Sequence, residues 1–173
     1  MPSASYEQLG TYLVSSGGIT AVTISFSGSA YTNYVFIMYA QSDVVNDSMF
    51  GNFNGNTTSS NWNNLFNFAR SSSTPPAATQ LNGSNYFYAG YDPLSGANTE
   101  ANAFATYRMI GSNLGQGQMT LLSDGISVAS ATGVPFYSWV RSTWETTGTK
   151  SSITFRNNDD FSIGSRFSIY GMA

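Results

Sequence analysis

Apolar residues along this chain recur at alternate positions and in short runs, and clusters of Gly, Ser and Asn break each run before a helical face can build up. Val22, Ile24 and Phe26 alternate with Thr23 and Ser25, the pattern of a strand with one face buried. The run from Tyr34 through Val35, Phe36, Ile37, Met38 and Tyr39 to Ala40 is apolar on both faces, which predicts a central strand covered on each side by core or by a partner subunit. Further strands are predicted over residues 65–69, 86–91, 103–110, 119–122, 126–130, 134–141, 151–155 and 167–170, about ten in all. Helix is expected only as a short turn near residues 60–66, because β-branched and aromatic residues fill the apolar runs.

Two stretches read as long loops: residues 41–61, with repeated Asn, Asp and Gly, and residues 71–84, with a serine triplet and Pro75-Pro76. Residues 1–15 read either as an arm that grips a neighbour, with Tyr6, Leu9 and Tyr12 as its anchors, or as a first edge strand. Residues 16–173 then form one domain. Eight to ten short strands with regular turns must pair without leaving long edges, so the expected fold is all-β, a single-domain antiparallel β-sandwich, jelly-roll-like.

A chain of 173 residues can bury roughly 70% of its unfolded surface, so the fold needs no covalent staple. Cysteine and histidine are both absent, which removes thiol nucleophiles, disulfides, imidazole bases and the usual soft metal ligands. Only 9% of residues are charged, against about 25% in an ordinary soluble protein, and aromatics reach 15%. Net charge is −3 and the six cations are scattered, so no basic field exists to hold phosphates and nucleic acid is not expected as a partner. The opening MPSASYEQLG has neither a basic nor an apolar stretch, and the apolar run at 34–40 is too short to cross a bilayer, so no membrane anchor is expected.

Acid–base chemistry would have to come from paired carboxylates. The nearest pairs, Asp43 with Asp47 and Asp159 with Asp160, lie in Asn-rich stretches where side chains cap turns, and no complete calcium-loop pattern surrounds them. No catalytic residue, cofactor or metal is assigned. The loop aromatics Phe50, Phe53 and Trp62 have two readings: they stack on sugars, or they plug the end of the sandwich or an interface. Trp139 and Trp144 lie an odd number of residues apart and so should face opposite ways, with one of them in the core.

Three stretches carry a resemblance: Gly96 to Phe104 (GANTEANAF); Val140 to Trp144 (VRSTW) leading into Ser151 to Phe155 (SSITF); and Phe161 to Met172 (FSIGSRFSIYGM). Together with the opening Tyr6-Glu7-Gln8-Leu9-Gly10 they resemble a family of small β-sandwich virion proteins of tailed phages, with Gly-Ser-x-Phe-x-Ile-Tyr-Gly as the most specific element. The chain departs from that pattern at Asn113 to Gln118, where a short Gly-rich bend replaces a longer polar segment. The resemblance implies a capsid decoration (cement) protein on the outside of the phage head. It implies a homo-oligomer, expected to be a trimer, with the major capsid protein as partner, assembled in the host cytoplasm. A carbohydrate-binding module at a tail or fibre tip is the alternative, with a glycan as partner.

Overall fold

The computed structural model describes residues 5–28, 30–43, 47–56, 62–70, 77–94, 104–115, 118–128, 135–144 and 148–172. Among them are twelve strands and no helix: β1(Tyr6–Leu13), β2(Ala21–Ser25), β3(Asn33–Ala40), β4(Asp47–Phe53), β5(Trp62–Arg70), β6(Ala77–Ser84), β7(Phe87–Leu94), β8(Ala105–Ser112), β9(Met119–Val128), β10(Pro135–Trp144), β11(Ser152–Arg156) and β12(Arg166–Met172). They pair antiparallel into two sheets, an eight-stranded one ordered β1-β12-β3-β8-β9-β10-β5-β6 and a four-stranded one ordered β2-β11-β4-β7.

That order is a jelly roll with insertions. The chain crosses between sheets at each step from β2 to β5, again from β6 to β7 and from β7 to β8, and from β10 through β11 to β12. The small sheet and the pairs β3-β8 and β5-β6 make the two interlocked Greek keys of a jelly roll. Strands β9 and β10 are inserted between those two pairs, and β12 and β1 extend the sheet beyond β3. Inserting two strands keeps every ladder antiparallel, because β10 then runs in the direction of β8.

Alternation along the strands decides the core. Tyr34, Phe36, Met38 and Ala40 of β3, Phe167 and Ile169 of β12, and Tyr107 and Met109 of β8 point inward from the large sheet. Val22 and Ile24 of β2, Met49 and Phe53 of β4, and Ile153 and Phe155 of β11 meet them from the small sheet. Ring contacts run through this layer, with Phe155 stacked on Phe167 at 5.4 Å and Phe161 edge-on to Phe167 at 4.9 Å. Two glycines make room for one tyrosine: a Cβ on Gly125 would lie 1.9 Å from Tyr107 Cδ1, and one on Gly90 would lie 2.4 Å from Tyr107 Cε1. The Tyr107 ring therefore covers its cross-strand partner Gly125 directly.

Several sequence expectations are corrected here. Strand β4 lies inside the segment read as a loop at 41–61, and β6 inside the one read as a loop at 71–84. Both have weak strand propensity, and each is held by its neighbours: β4 between β11 and β7, β6 against β5 alone. The expected strands at 119–122 and 126–130 are one strand, because Gly125 marks the seat of Tyr107 and not a turn. In place of a helical turn near residues 60–66, β5 starts at Trp62, and Trp62, Asn64 and Phe66 all point inward at period two. Residues 57–61, 71–76 and 95–103, with parts of both expected loops and of the first resemblance stretch, lie outside the described residues.

Candidate interaction surface

The structure distributes the sequence-selected residues over three places. Phe53 and Trp62 are in the core at 0% exposure, Trp62 edge-on to Trp144 at 4.6 Å and against Phe87 at 5.3 Å, so neither offers surface to a sugar or a partner. Phe50 is half-buried against Tyr86 and Tyr88 on the outer side of the small sheet. Tyr6, Leu9 and Tyr12 sit on β1, the edge strand of the large sheet, with Tyr6 and Tyr12 exposed and Leu9 packed at the core margin beside a bulge. The Tyr31 hydroxyl donates to the Glu7 carboxylate and Thr11 Oγ1 donates to the Phe167 carbonyl at 3.2 Å, fastening β1 down. The bond to Glu7 also raises the Tyr31 phenol above its ordinary pKa. These residues form no common site.

The Asp159–Asp160 cluster caps its own turn, and Asp43 is held by a residue distant in sequence. Asp159 Oδ1 accepts from the Asp160 amide at 2.8 Å, Asn157 Nδ2 donates to the Asp160 carbonyl at 3.3 Å, and Ser162 Oγ donates to Asp43 Oδ1 at 2.6 Å. Among the described residues no group of three or more acidic, His or Cys side chains could hold a metal ion. Lys150 is nearly buried, 4% exposed, with its ammonium donating to the Gly148 carbonyl and lying 5.2 Å from the centre of the Trp144 ring; burial lowers its pKa.

The outer face of the large sheet carries the feature that alternation alone does not reveal. In β9 and β10 both faces carry large apolar side chains: Met119 and Leu121 of β9 and Phe136, Val140 and Trp144 of β10 point inward. Ser123 and Ser127 of β9 and Ser138 and Ser142 of β10 point inward and are buried, whereas Leu122, Ile126, Tyr137 and Trp139 point outward, with Leu122 53% and Trp139 50% exposed. The Ser123 hydroxyl donates to the Ala89 carbonyl of β7, and Ser142 Oγ donates to Asn64 Oδ1 at 2.6 Å. The hydroxyls of Ser127 and Ser138 are buried with no hydrogen-bond partner. A Leu, an Ile, a Tyr and a Trp left about half exposed on these two strands forgo roughly 1 kcal/mol each unless something covers that face.

Register makes these side chains contiguous. Across the sheet, Ile110, Leu122, Arg141 and Leu65 form one row, Ile37, Arg108, Asp124 and Trp139 the next, and Tyr39, Thr106, Ile126 and Tyr137 a third. The Tyr137 and Trp139 rings lie 6.4 Å apart and 16° from parallel. In the middle, Arg108 Nη2 and Nε donate to Asp124 Oδ1 at 3.0 and 3.1 Å, and both side chains are exposed. Trp139 stands between two shallow depressions, one of about 400 Å³ bounded by Thr106, Ile126 and Tyr137, the other of about 330 Å³ bounded by Asn67, Leu122 and Arg141.

The sequence expectation that Trp139 and Trp144 face opposite ways holds, with Trp144 in the core at 3% exposure. The alternation of Tyr137, Ser138 and Trp139 was legible, but period two does not say which side is the core. The signal that could have found the face is the serine at every fourth position, 123 and 127 and then 138 and 142, beside the large side chains of two consecutive strands. No protein-family model, no curated protein and no solved structure matches the chain.

Proposed function

We propose that this protein is a structural component of a tailed-phage virion, a capsid decoration protein that binds the outside of the head and stiffens it, working through contact surfaces and not chemistry. The observation that carries the reading is the exposed apolar face around Leu122, Ile126, Tyr137 and Trp139. Contiguous apolar patches of this kind mark surfaces that another macromolecule covers. The virion assignment draws on the resemblance, whose closing motif forms β12, with the turn at Gly164 (φ 96°) and with Phe167 and Ile169 both in the core. The partners on this reading are the major capsid protein and other copies of the chain, and the protein is carried to the exterior on the particle.

The test is to image particles carrying the tagged chain: density at regular sites over the head supports decoration, and density at the tail tip alone overturns it. One observation favours the second reading, a glycan-binding module at a tail or fibre tip: two exposed, nearly parallel rings beside an Arg–Asp pair can stack on a pyranose and hydrogen-bond its hydroxyls. A glycan-array signal lost in Trp139→Ala supports that reading, and silence on the array removes it.

A further inference from the structure

We propose that the outer face of the eight-stranded sheet closes on the same face of a second copy of this chain, about a two-fold axis through the centre of that face. This rests on the reading of that face as a contact surface and names its partner.

An isologous contact requires one patch to carry both projections and the hollows that receive them. The face does so. Trp139 projects between the two depressions, so the indole of one copy can enter a depression of the other while the reverse contact forms by symmetry.

Charge points the same way. Arg108 and Asp124 pair at the centre of the patch, and Arg141 stands exposed in the neighbouring row. Across a two-fold axis, Arg108 of each copy meets Asp124 of the other, turning two exposed pairs into a network shielded from water.

Size also fits. The apolar rows run over five adjacent strands, β3 to β5, which spans roughly 20 Å at about 4.8 Å per strand, and three rows of side chains add roughly 14 Å in the other direction. With Asn63 and Asn67 as a polar border on β5, these roughly 280 Å² make the centre of a larger contact, which in an interface of ordinary size covers about 800 Å² per partner. Sheet faces pack on sheet faces at about 10 Å, so the pair would bury this face between two large sheets. The two-fold pair differs from the trimer that the resemblance implies.

The test is the mass of the full chain in solution by sedimentation equilibrium, over a wide concentration range. The expected species has twice the chain mass. Trp139→Ala, an exposed position that leaves the fold intact, should raise the dissociation constant at least about tenfold. Asp124→Arg should do the same by setting arginines against one another, and adding Arg108→Asp should bring the constant back to within about threefold of wild type. Thermal melts of each variant at low concentration confirm that the monomers fold.

A wild-type monomer, a trimer, or a pair indifferent to Trp139→Ala overturns the inference. Head binding separates this failure from that of the functional reading. A monomer whose binding to heads is lost in Trp139→Ala overturns the pair and leaves decoration standing. A pair that never binds heads keeps the inference and removes decoration. A monomer whose Trp139 is needed for glycan binding overturns the pair in favour of the tail-tip reading.

Discussion

Phe167→Ala should be among the most damaging single substitutions in this protein, and its cost can be worked from the packing. The ring is fully buried, stacked on Phe155 at 5.4 Å and 22° and met edge-on by Phe161 at 4.9 Å. Its strand is hydrogen-bonded on both sides, with Tyr12 of β1 and Met38 of β3 opposite the residue, so the backbone cannot move in to fill the space. Truncating a buried Phe to Ala costs about 3–5 kcal/mol, and two lost aromatic contacts of about 0.5–1.5 kcal/mol each place this site in the upper half of that range. With a urea slope of about 2 kcal/mol/M, a loss of about 4 kcal/mol lowers the midpoint by about 2 M without changing the slope. The control is Trp139→Ala at concentrations where chains are monomeric, expected within about 0.5 kcal/mol of wild type despite removing the larger side chain. Urea melts followed by tryptophan fluorescence and by circular dichroism measure both. A loss below about 1 kcal/mol for Phe167→Ala would refute the placement of β12 in the core.

Gly125→Ala should cost about 1–3 kcal/mol in the same melts, because the new Cβ meets Tyr107 Cδ1 at 1.9 Å and a ring packed between Gly90 and Gly125 has nowhere to go. Tyr31 has a raised pKa in the fold, so the stability it contributes is fully present below the ordinary tyrosine value of about 10 and is lost as pH rises through the folded value. Ultraviolet titration should find that the Tyr31 phenol titrates late and moves down in Glu7→Gln. Lys150 has the opposite sign: its folded pKa is lowered by burial, so stability rises with pH between that value and the ordinary lysine value of about 10.4. Lys150→Met keeps the stem beside Trp144, should be at least as stable as wild type at pH 7, and should lose that alkaline rise.

The sandwich was legible in the sequence because most of its core strands carry the signal that burial requires. Val22 and Ile24, then Tyr34, Phe36, Met38 and Ala40, and Phe167 with Ile169 alternate where the structure packs them between sheets, while Ile37 and Tyr39 of the same central run face outward. The strands that escaped notice are those whose formation depends on their neighbours. Strand β4 contributes Met49, Gly51 and Phe53 to the interior but reads as an Asn- and Gly-rich loop, and β6 is a polar edge with β5 as its one partner. Misplacing β4 had a direct consequence for the site: Phe53 read as a loop aromatic because its strand was not seen, and Trp62 because it precedes the apolar run that was taken as the strand. The contact face was hidden for a different reason. Large apolar side chains stand on both faces of β9 and β10, and alternation marks only one face of a strand for burial; the inner face takes Leu121, Phe136, Val140 and Trp144, which leaves Leu122, Ile126, Tyr137 and Trp139 outside.

The most direct test of decoration is equilibrium binding of the purified chain to undecorated heads as a function of salt. An interface built from Leu, Ile, Tyr and Trp around a self-neutralised ion pair draws its energy from buried apolar area and short hydrogen bonds. Shortening the Debye length from about 10 Å to about 3 Å removes little of either. Binding should saturate at a fixed number of copies per capsid subunit, with an affinity that changes less than about tenfold between roughly 0.1 and 1 M salt. No saturable binding to heads, or an affinity that collapses with salt as phosphate-driven binding does, would contradict the account.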